Sequence, residues 1–304
     1  MLSSPVMTAS RNDVSRNCLI TGASGHIGTN LLKLLKQKGW HVSALQHRTP
    51  LTADVDRLLH GDIAEFRGQW LDGVDVVFHL AARGGNRRAR SAELQAINVH
   101  GTRMLVQALI ECGRKPRLVY ASSIDVYSPI DDGSGMLGSG SETEPRTEYG
   151  RTKLTAERSL AQWPNSVIVR FPMVVGNSDR HIKRFRRLAR RRIFPVTDRR
   201  FCAIDVRDAV RLLLHTAVDP TSAGRVYTVS DGRVYTWKNL ALLCGRLEGV
   251  RTWSPRIPTF ALQPRLFRLL GNSDAALYLK YDWCCRPNFP EGFSAEHTAL
   301  PELN

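Results

Sequence analysis

The stretch that most constrains this chain is Thr21-Gly22-Ala23-Ser24-Gly25-His26-Ile27-Gly28. It stands between the apolar run Cys18-Leu19-Ile20 and a segment whose Leu31, Leu32, Leu34 and Leu35 share one helical face, with Lys33, Lys36 and Lys38 turned away. Buried strand, glycine-rich turn and amphipathic helix in that order are the setting of a dinucleotide-binding loop. Gly22 permits the tight turn, Gly25 lets the backbone approach a pyrophosphate, and Gly28 lets the helix pack close to the strand. The pyrophosphate would lie on the free N–H groups of the helix starting near His26, with Ser24 and Ile27 beside it. A spaced glycine triplet is also compatible with a merely tight turn, so its weight comes from residues far downstream.

Tyr149-Gly150-Arg151-Thr152-Lys153 places a phenol and an ammonium one helical turn apart on one face. Upstream, Leu118-Val119-Tyr120-Ala121-Ser122-Ser123 reads as a strand ending in two hydroxyls. With these motifs the chain resembles the short-chain dehydrogenase/reductase superfamily, in its extended NAD-dependent epimerase/dehydratase branch of nucleotide-sugar epimerases, dehydratases and reductases. The resemblance runs from about Asn17 to about Gly249. It implies an α/β fold, a Rossmann-type doubly wound parallel sheet with a smaller C-terminal substrate lobe. Residues 1–16 are then expected to be a disordered tail and 17–176 the NAD(P)-binding domain. Residues 177–304 would be mainly the substrate lobe, with some elements returning to the main domain.

The resemblance also implies roles for individual residues. Ser123 would bond the substrate oxygen, with Ser122 as its understudy, and Tyr149 and Lys153 would complete the catalytic set. Asp62 would face the adenine, beside Ile63, unless it simply caps a helix. Leu80, Ala81 and Ala82 would pass beneath the cofactor, Phe171 would line it, and Asn98 would brace the active-site strand. Arg83 and Asp125 are expected on the substrate side, and Arg199 or Arg200 would grip a substrate diphosphate. Met173 stands where epimerases of the family often carry an asparagine, a departure that favours a reductase. His79, inside the strand Val74–Ala82, is expected to be a satisfied core histidine.

The residues just after the second strand, His41–Leu45, bear on the cofactor. An acid there would accept bonds from a ribose 2′-hydroxyl; the chain has Gln46-His47-Arg48. Arg48 suits a 2′-phosphate, which places NADP(H) ahead of NAD(H). At a reference pKa near 10 a tyrosine is a poor base at neutral pH. A nearby ammonium and the positive nicotinamide ring are expected to lower it, so that Tyr149, with Lys153 one turn along, exchanges a proton with the substrate oxygen.

The formal charge of +15 is unusual for a metabolic enzyme. Much of it falls in two clusters: Arg83, Arg87, Arg88 and Arg90, and a run from Arg180 through Arg192 that resumes at Arg199 and Arg200. A solvated helix face, a funnel for an anionic substrate, and a nucleic-acid or membrane surface all account for such clusters, in that order of expectation. No apolar run approaches the roughly 18 residues of a membrane span. The N-terminal residues lack the apolar core of a secretory signal. The six cysteines show no CxxC and suggest neither a disulfide framework nor a zinc site, so a reducing cytoplasmic setting and no metal are expected. Ser128–Pro145 is expected to be a surface loop over the substrate, and the chain beyond Gly249 to pack on the substrate lobe with little regular sheet.

These readings converge on an NAD(P)-dependent oxidoreductase acting on a carbinol or carbonyl carbon of a nucleotide-diphosphate sugar, foremost as a 4-ketoreductase. An NAD-dependent 4-epimerase and a hydroxysteroid- or flavonoid-type dehydrogenase are the rivals within the superfamily. From a different class, an NADP-sensing scaffold without turnover would have no use for Ser123, Tyr149 and Lys153. The partners expected are an anionic nucleotide-sugar substrate and a second copy of the chain in a homodimer; nucleic acid is not expected.

Overall fold

The computed structural model describes residues 16–84, 91–130, 135–176, 180–258, 262 and 273–300. The first half runs β1 Asn17–Thr21, α1 His26–Gln37, β2 His41–Gln46, β3 Arg57–His60, β4 Val76–His79, α2 Ser91–Leu94, a π-helical turn Gln95–His100, and α3 Gly101–Glu111. It continues through β5 Arg117–Ser123, α4 Glu148–Leu160, β6 Ser166–Phe171, β7 Met173–Val175 and α5 Arg180–Arg190. Then come β8 Arg200–Phe201, β9 Ala203–Asp205, α6 Val206–Val218, β10 Val226–Thr228, β11 Tyr235–Thr236, α7 Trp237–Leu247 and α8 Ser273–Lys280.

Seven of these strands form one sheet in the order β10-β6-β5-β4-β1-β2-β3, and every pairing in it is parallel. A parallel sheet is covered on both faces, so its strands are apolar throughout rather than alternating. β1 illustrates this: Cys18 and Ile20 face a core shared with Leu31, Leu32 and Leu35 of α1 and Leu212 and Leu213 of α6. Leu19 faces the opposite core, with Leu105 and Leu109 of α3 and Ala156 and Leu160 of α4. The chain builds outward from β1 through β2 to β3, then returns to lay β4 on the other side of β1. At such a reversal the helices leave opposite faces and a crevice opens at the C-terminal strand ends, where open α/β sheets bind ligands.

A third core, containing Phe194, Phe201, Tyr235, Trp237 and Trp283, underlies the remaining ladders. There β7 pairs in parallel with β9, and β8 antiparallel with β11. Thr236 caps α7 in a reciprocal box with Asn239, as its position before the apolar periodicity suggests. Beyond Gly249 the described chain carries isolated bridges and one helix. The stretch Ser128–Pro145, expected as a surface loop, is exposed or half-buried at most of its described residues but is anchored at two points. Ile130 exchanges backbone hydrogen bonds with Asp282, and Leu137 donates to Cys284 and accepts from Arg286. Leu137 is buried in the third core. Residues 131–134 of that stretch, and Arg87, Arg88 and Arg90 of the first basic cluster, lie outside the described residues.

Candidate active site

The glycine turn meets the end of β4 at very close range. Gly22 has φ +76°, and a Cβ there would lie 2.6 Å from Ala81 N. A Cβ on Gly28 would lie 2.3 Å from Gly22 O, so helix and turn touch backbone to backbone. Gly25 is the N-cap of α1 and no side chain bonds to the first turn, which holds no acid. Ser24, His26 and Ile27 occupy the turn and the helix start, as predicted. Beneath them Thr21 Oγ1 pairs with His79 Nδ1 at 2.7 Å, and His79 Nε2 with Thr102 Oγ1 at 2.9 Å. Burial, aided by the Lys153 charge, pushes His79 down to about 3. This neutral, doubly bonded ring is the core histidine the sequence suggested.

At the end of β2, His47 and Arg48 are exposed, and Arg48 forms no ion pair with a described residue. Asp62 accepts from Ala64 N at 3.0 Å, capping a 3-10 turn, and its other oxygen lies 3.5 Å from His47 Nε2. Ile63 is buried against Gly101, where a Cβ would come 2.7 Å from its Cγ2. That contact leaves no room for a side chain at position 101.

Asn98 lies in the π-helical turn between α2 and α3, and the turn swings its amide inward. Its Oδ1 accepts from Arg83 N at 2.7 Å, and its Nδ2 donates to Arg83 O at 3.0 Å and to Thr152 Oγ1 at 2.9 Å. One buried amide thus joins the loop after β4 to the helix that carries Tyr149 and Lys153. Thr152, inside the Tyr-to-Lys spacing, was not singled out from sequence, although a polar residue on the inner helix face was the signal.

Thr147 caps α4 by accepting from Gly150 N at 2.8 Å. The helix start presses on the turn after β5, because a Cβ on Gly150 would lie 2.1 Å from Asp125 O. Ser123 ends β5 with its Oγ accepting from Asp125 N at 3.2 Å. Ser122 points the other way and donates to Glu157 Oε1 at 2.5 Å. Glu157 is in turn held by both Nε and NH2 of Arg170, at 3.0 and 2.7 Å. Lys153, 2% exposed, donates to Ala121 O at 2.5 Å and sits 4.0 Å from the centroid of the Tyr120 ring.

Burial sets the electrostatics of Tyr149 and Lys153. Burial, with the Asp125 carboxylate adding to it, pushes the half-buried Tyr149 phenol above its ordinary value. Burial likewise pushes Lys153 down to about 7, against an opposing pull from Glu157. Helical spacing brings the two groups to one face, but depth overrides the charge effect, so in the protein without cofactor the phenol is not lowered by its neighbour.

Leu80, Ala81 and Ala82, expected beneath the cofactor, follow β4 directly, with Leu80 N bonded to Thr21 O at 3.1 Å. Phe171 is buried at the end of β6, and Met173 is half-buried in β7. Arg83 Nε pairs with Glu93 at 3.1 Å. Arg200 is held by the buried Asp282, which accepts from its N, Nε and NH2 at 2.8, 3.0 and 2.8 Å. Arg199 is half-buried beside it. Asp125 is buried and accepts a hydrogen bond from the Tyr278 hydroxyl of α8. Neither Tyr278 nor Asp282 was anticipated; both come from the aperiodic C-terminal segment, where no spacing signals a role. Asp208, Glu296 and His297 have the proximity of metal ligands. However, Asp208 already accepts from Arg211 and from the backbone of Glu296 and His297.

The sequence model of the NAD dependent epimerase/dehydratase family matches residues 18–230. The chain is 31% identical over 273 residues to the sterol demethylase protein B of Methylococcus capsulatus, covering 82% of this chain and 78% of that protein. It is 28% identical over 283 residues to the UDP-glucose 4-epimerase of Vibrio cholerae, covering 85% and 84%. Among solved structures it is similar to MoeE5 in complex with UDP-glucose and NAD. That likeness has a TM-score of 0.70 and 28% identity, over 79% of this chain and 85% of the other. No helix among the described residues is long and apolar enough to cross a membrane.

Proposed function

The chain belongs to the NAD dependent epimerase/dehydratase family as an NAD(P)-dependent short-chain dehydrogenase/reductase, and on that premise we propose that it is a 4-ketoreductase of a nucleotide-diphosphate sugar. The observation that carries this reading is the seating of the Tyr149 phenol at the start of α4, packed on the turn that follows Ser123. Tyr149 is held above its ordinary pKa at the start of α4, against the turn that presents Ser123. Reduction of a carbonyl needs an acid beside the oxygen that receives the proton, and a phenol kept protonated is already in that form. Ser123 would fix the carbonyl oxygen, and the buried amine of Lys153 would hold the ribose next to the strand end at Ala121.

The residues fit a dinucleotide. The N-terminus of α1 is uncapped by any side chain, and a Cβ on Gly25 would meet only Gly22 O, at 3.1 Å. The nicotinamide supplies the hydride when bound; the chain's own groups orient the carbon and move the proton. An exposed Arg48 and the absence of an acid at the end of β2 support NADP(H) ahead of NAD(H). The relative that is a UDP-glucose 4-epimerase and the neighbour holding UDP-glucose support a nucleotide sugar.

A hydroxysteroid-type dehydrogenase is the second reading. It is favoured by the similarity to sterol demethylase protein B and by Arg200, a guanidinium expected to grip diphosphate that is instead engaged by Asp282. Purified protein should be given NADPH with a panel of 4-keto nucleotide sugars and ketosteroids, and products identified by mass spectrometry. Turnover of a nucleotide sugar that falls about 10²- to 10⁴-fold in Tyr149→Phe supports the proposal. Turnover of ketosteroids alone selects the second reading. Unchanged turnover in the variant overturns both.

A further inference from the structure

We propose that Trp253, Ile193 and the arginines around them form a docking face for an anionic phospholipid bilayer. The two side chains are not on loose loops. Ile193 bridges Trp253 and Val196 bridges Arg256 in a short parallel ladder. Its backbone bonds run from Phe194 N to Trp253 O at 2.9 Å, Trp253 N to Arg192 O at 2.9 Å, and Val196 N to Pro255 O at 3.0 Å. Successive residues of an extended strand point to opposite sides. Phe194 and Val196 are buried in the third core, so Ile193 is turned outward beside Trp253. Ile193 is 48% exposed and Trp253 68%, the largest exposure of any large apolar residue among those described. Lone exposed apolar side chains are ordinary, but an adjacent pair on a rigid ladder is an apolar patch.

The charge around this patch is one-sided. Arg191, Arg192 and Arg251, next to the pair along the chain, are exposed and form no ion pair with a described residue. The neighbouring acids are already matched: Glu248 receives both Arg186 and Arg190, and the exposed Asp198 receives Arg256. Arg192 has φ 57°, the left-handed conformation that comes after a helix end and ordinarily goes to glycine. A guanidinium therefore stands at the edge of the patch where the backbone favours no side chain at all. An indole and an aliphatic side chain flanked along the chain by guanidinium groups match an anionic bilayer surface, where Trp settles at the headgroup level and Arg meets phosphate. Nucleic acid would engage the arginines but leave Ile193 without a partner. The docking face does not depend on which substrate the active site takes.

Trp253 is its own probe, because Trp40, Trp70, Trp163, Trp237 and Trp283 are buried. The full chain should be sedimented with vesicles of phosphatidylcholine alone and of phosphatidylcholine with phosphatidylglycerol. Its tryptophan fluorescence should be followed with bromine-labelled acyl chains in the anionic vesicles. We expect association with the anionic vesicles only, reversed by salt, and quenching of the exposed fraction of the emission. Trp253→Ala/Ile193→Ser and Arg191→Glu/Arg192→Glu should each lower the partition coefficient about tenfold or more, with the thermal midpoint unchanged. Equal binding to neutral vesicles, binding without quenching in the intact protein, or undiminished binding by folded variants overturns the proposal. So does an absence of vesicle binding, including the case where single-stranded RNA is bound through the same residues.

Discussion

The hydroxyl of Ser122 donates to Glu157 Oε1 at 2.5 Å, and that bond separates two serines that are neighbours in sequence. Ser122 belongs to a buried assembly with Glu157 and Arg170, while Ser123 is half-buried with its oxygen accepting from the Asp125 amide. Ser122→Ala is therefore expected to lower unfolding free energy by about 1–2 kcal/mol, the effect of removing a donor from a buried charged acceptor, and to leave turnover nearly unchanged. Ser123→Ala is expected to do the reverse, cutting kcat about a hundredfold with little change in stability. Urea unfolding and steady-state rates on both variants decide it; interchanged outcomes would exchange the roles of the two serines.

Gly150 makes an independent check of how the helix is seated. A methyl group there would lie 2.1 Å from Asp125 O and 2.9 Å from Thr147 Oγ1, both held by backbone or by a cap. Gly150→Ala should lower stability by about 3 kcal/mol or more and displace the start of α4. Gly68→Ala, where a Cβ would meet nothing within 4 Å, should stay within about 0.5 kcal/mol of the parent. Thermal or denaturant midpoints of the pair give the comparison.

The buried amide of Asn98 carries three hydrogen bonds between the loop at Arg83 and Thr152. Asn98→Ala leaves an amide, a carbonyl and a hydroxyl to find other partners, and about 3 kcal/mol of stability should go with them. Hydrogen exchange should show faster exchange at the Arg83 amide. An Arg83 amide that remains as protected as in the parent would mean the loop is held by something else.

What was legible in the sequence is what local chemistry dictates. The turn at Gly22–Gly28 needs glycine because two backbones meet there, and Thr236 occupies a helix start whose amides need an oxygen; the same role of Thr147 was not read from the sequence. Strand positions come from such features with shifts of one to three residues; the strand read as Val74–Ala82 is Val76–His79. The contacts of the C-terminal segment were not legible. Tyr278 reaches Asp125 and Asp282 reaches Arg200 across more of the chain than any periodicity spans. The π-helical turn at Asn98 was also invisible, since its residues fit an ordinary helix equally well. Most instructive is Lys153: spacing reveals which side chains share a face, but not how deeply that face is buried.

That depth yields a pH prediction. Lys153 is pushed down to about 7 in the folded protein, against a reference near 10.4 when unfolded. Between those values the unfolded chain holds a proton that the folded one lacks, so this residue's contribution to stability grows as pH rises from about 7 toward about 10.4. Below about 7 both states are protonated and the full penalty of burying the ammonium applies. Other groups move the opposite way: burial raises the thiols of Cys18, Cys244 and Cys284, so folding loses stability once they ionise in the unfolded chain. The quantity to measure is therefore the difference between the parent and Lys153→Met, in which the thiols cancel. The methionine variant should gain on the parent by on the order of 4 kcal/mol at pH 6 relative to pH 10, superimposed on a constant loss of the bond to Ala121 O. A difference that does not change with pH would mean the ammonium is solvated in the folded protein, and the account of burial lowering Lys153 would fail.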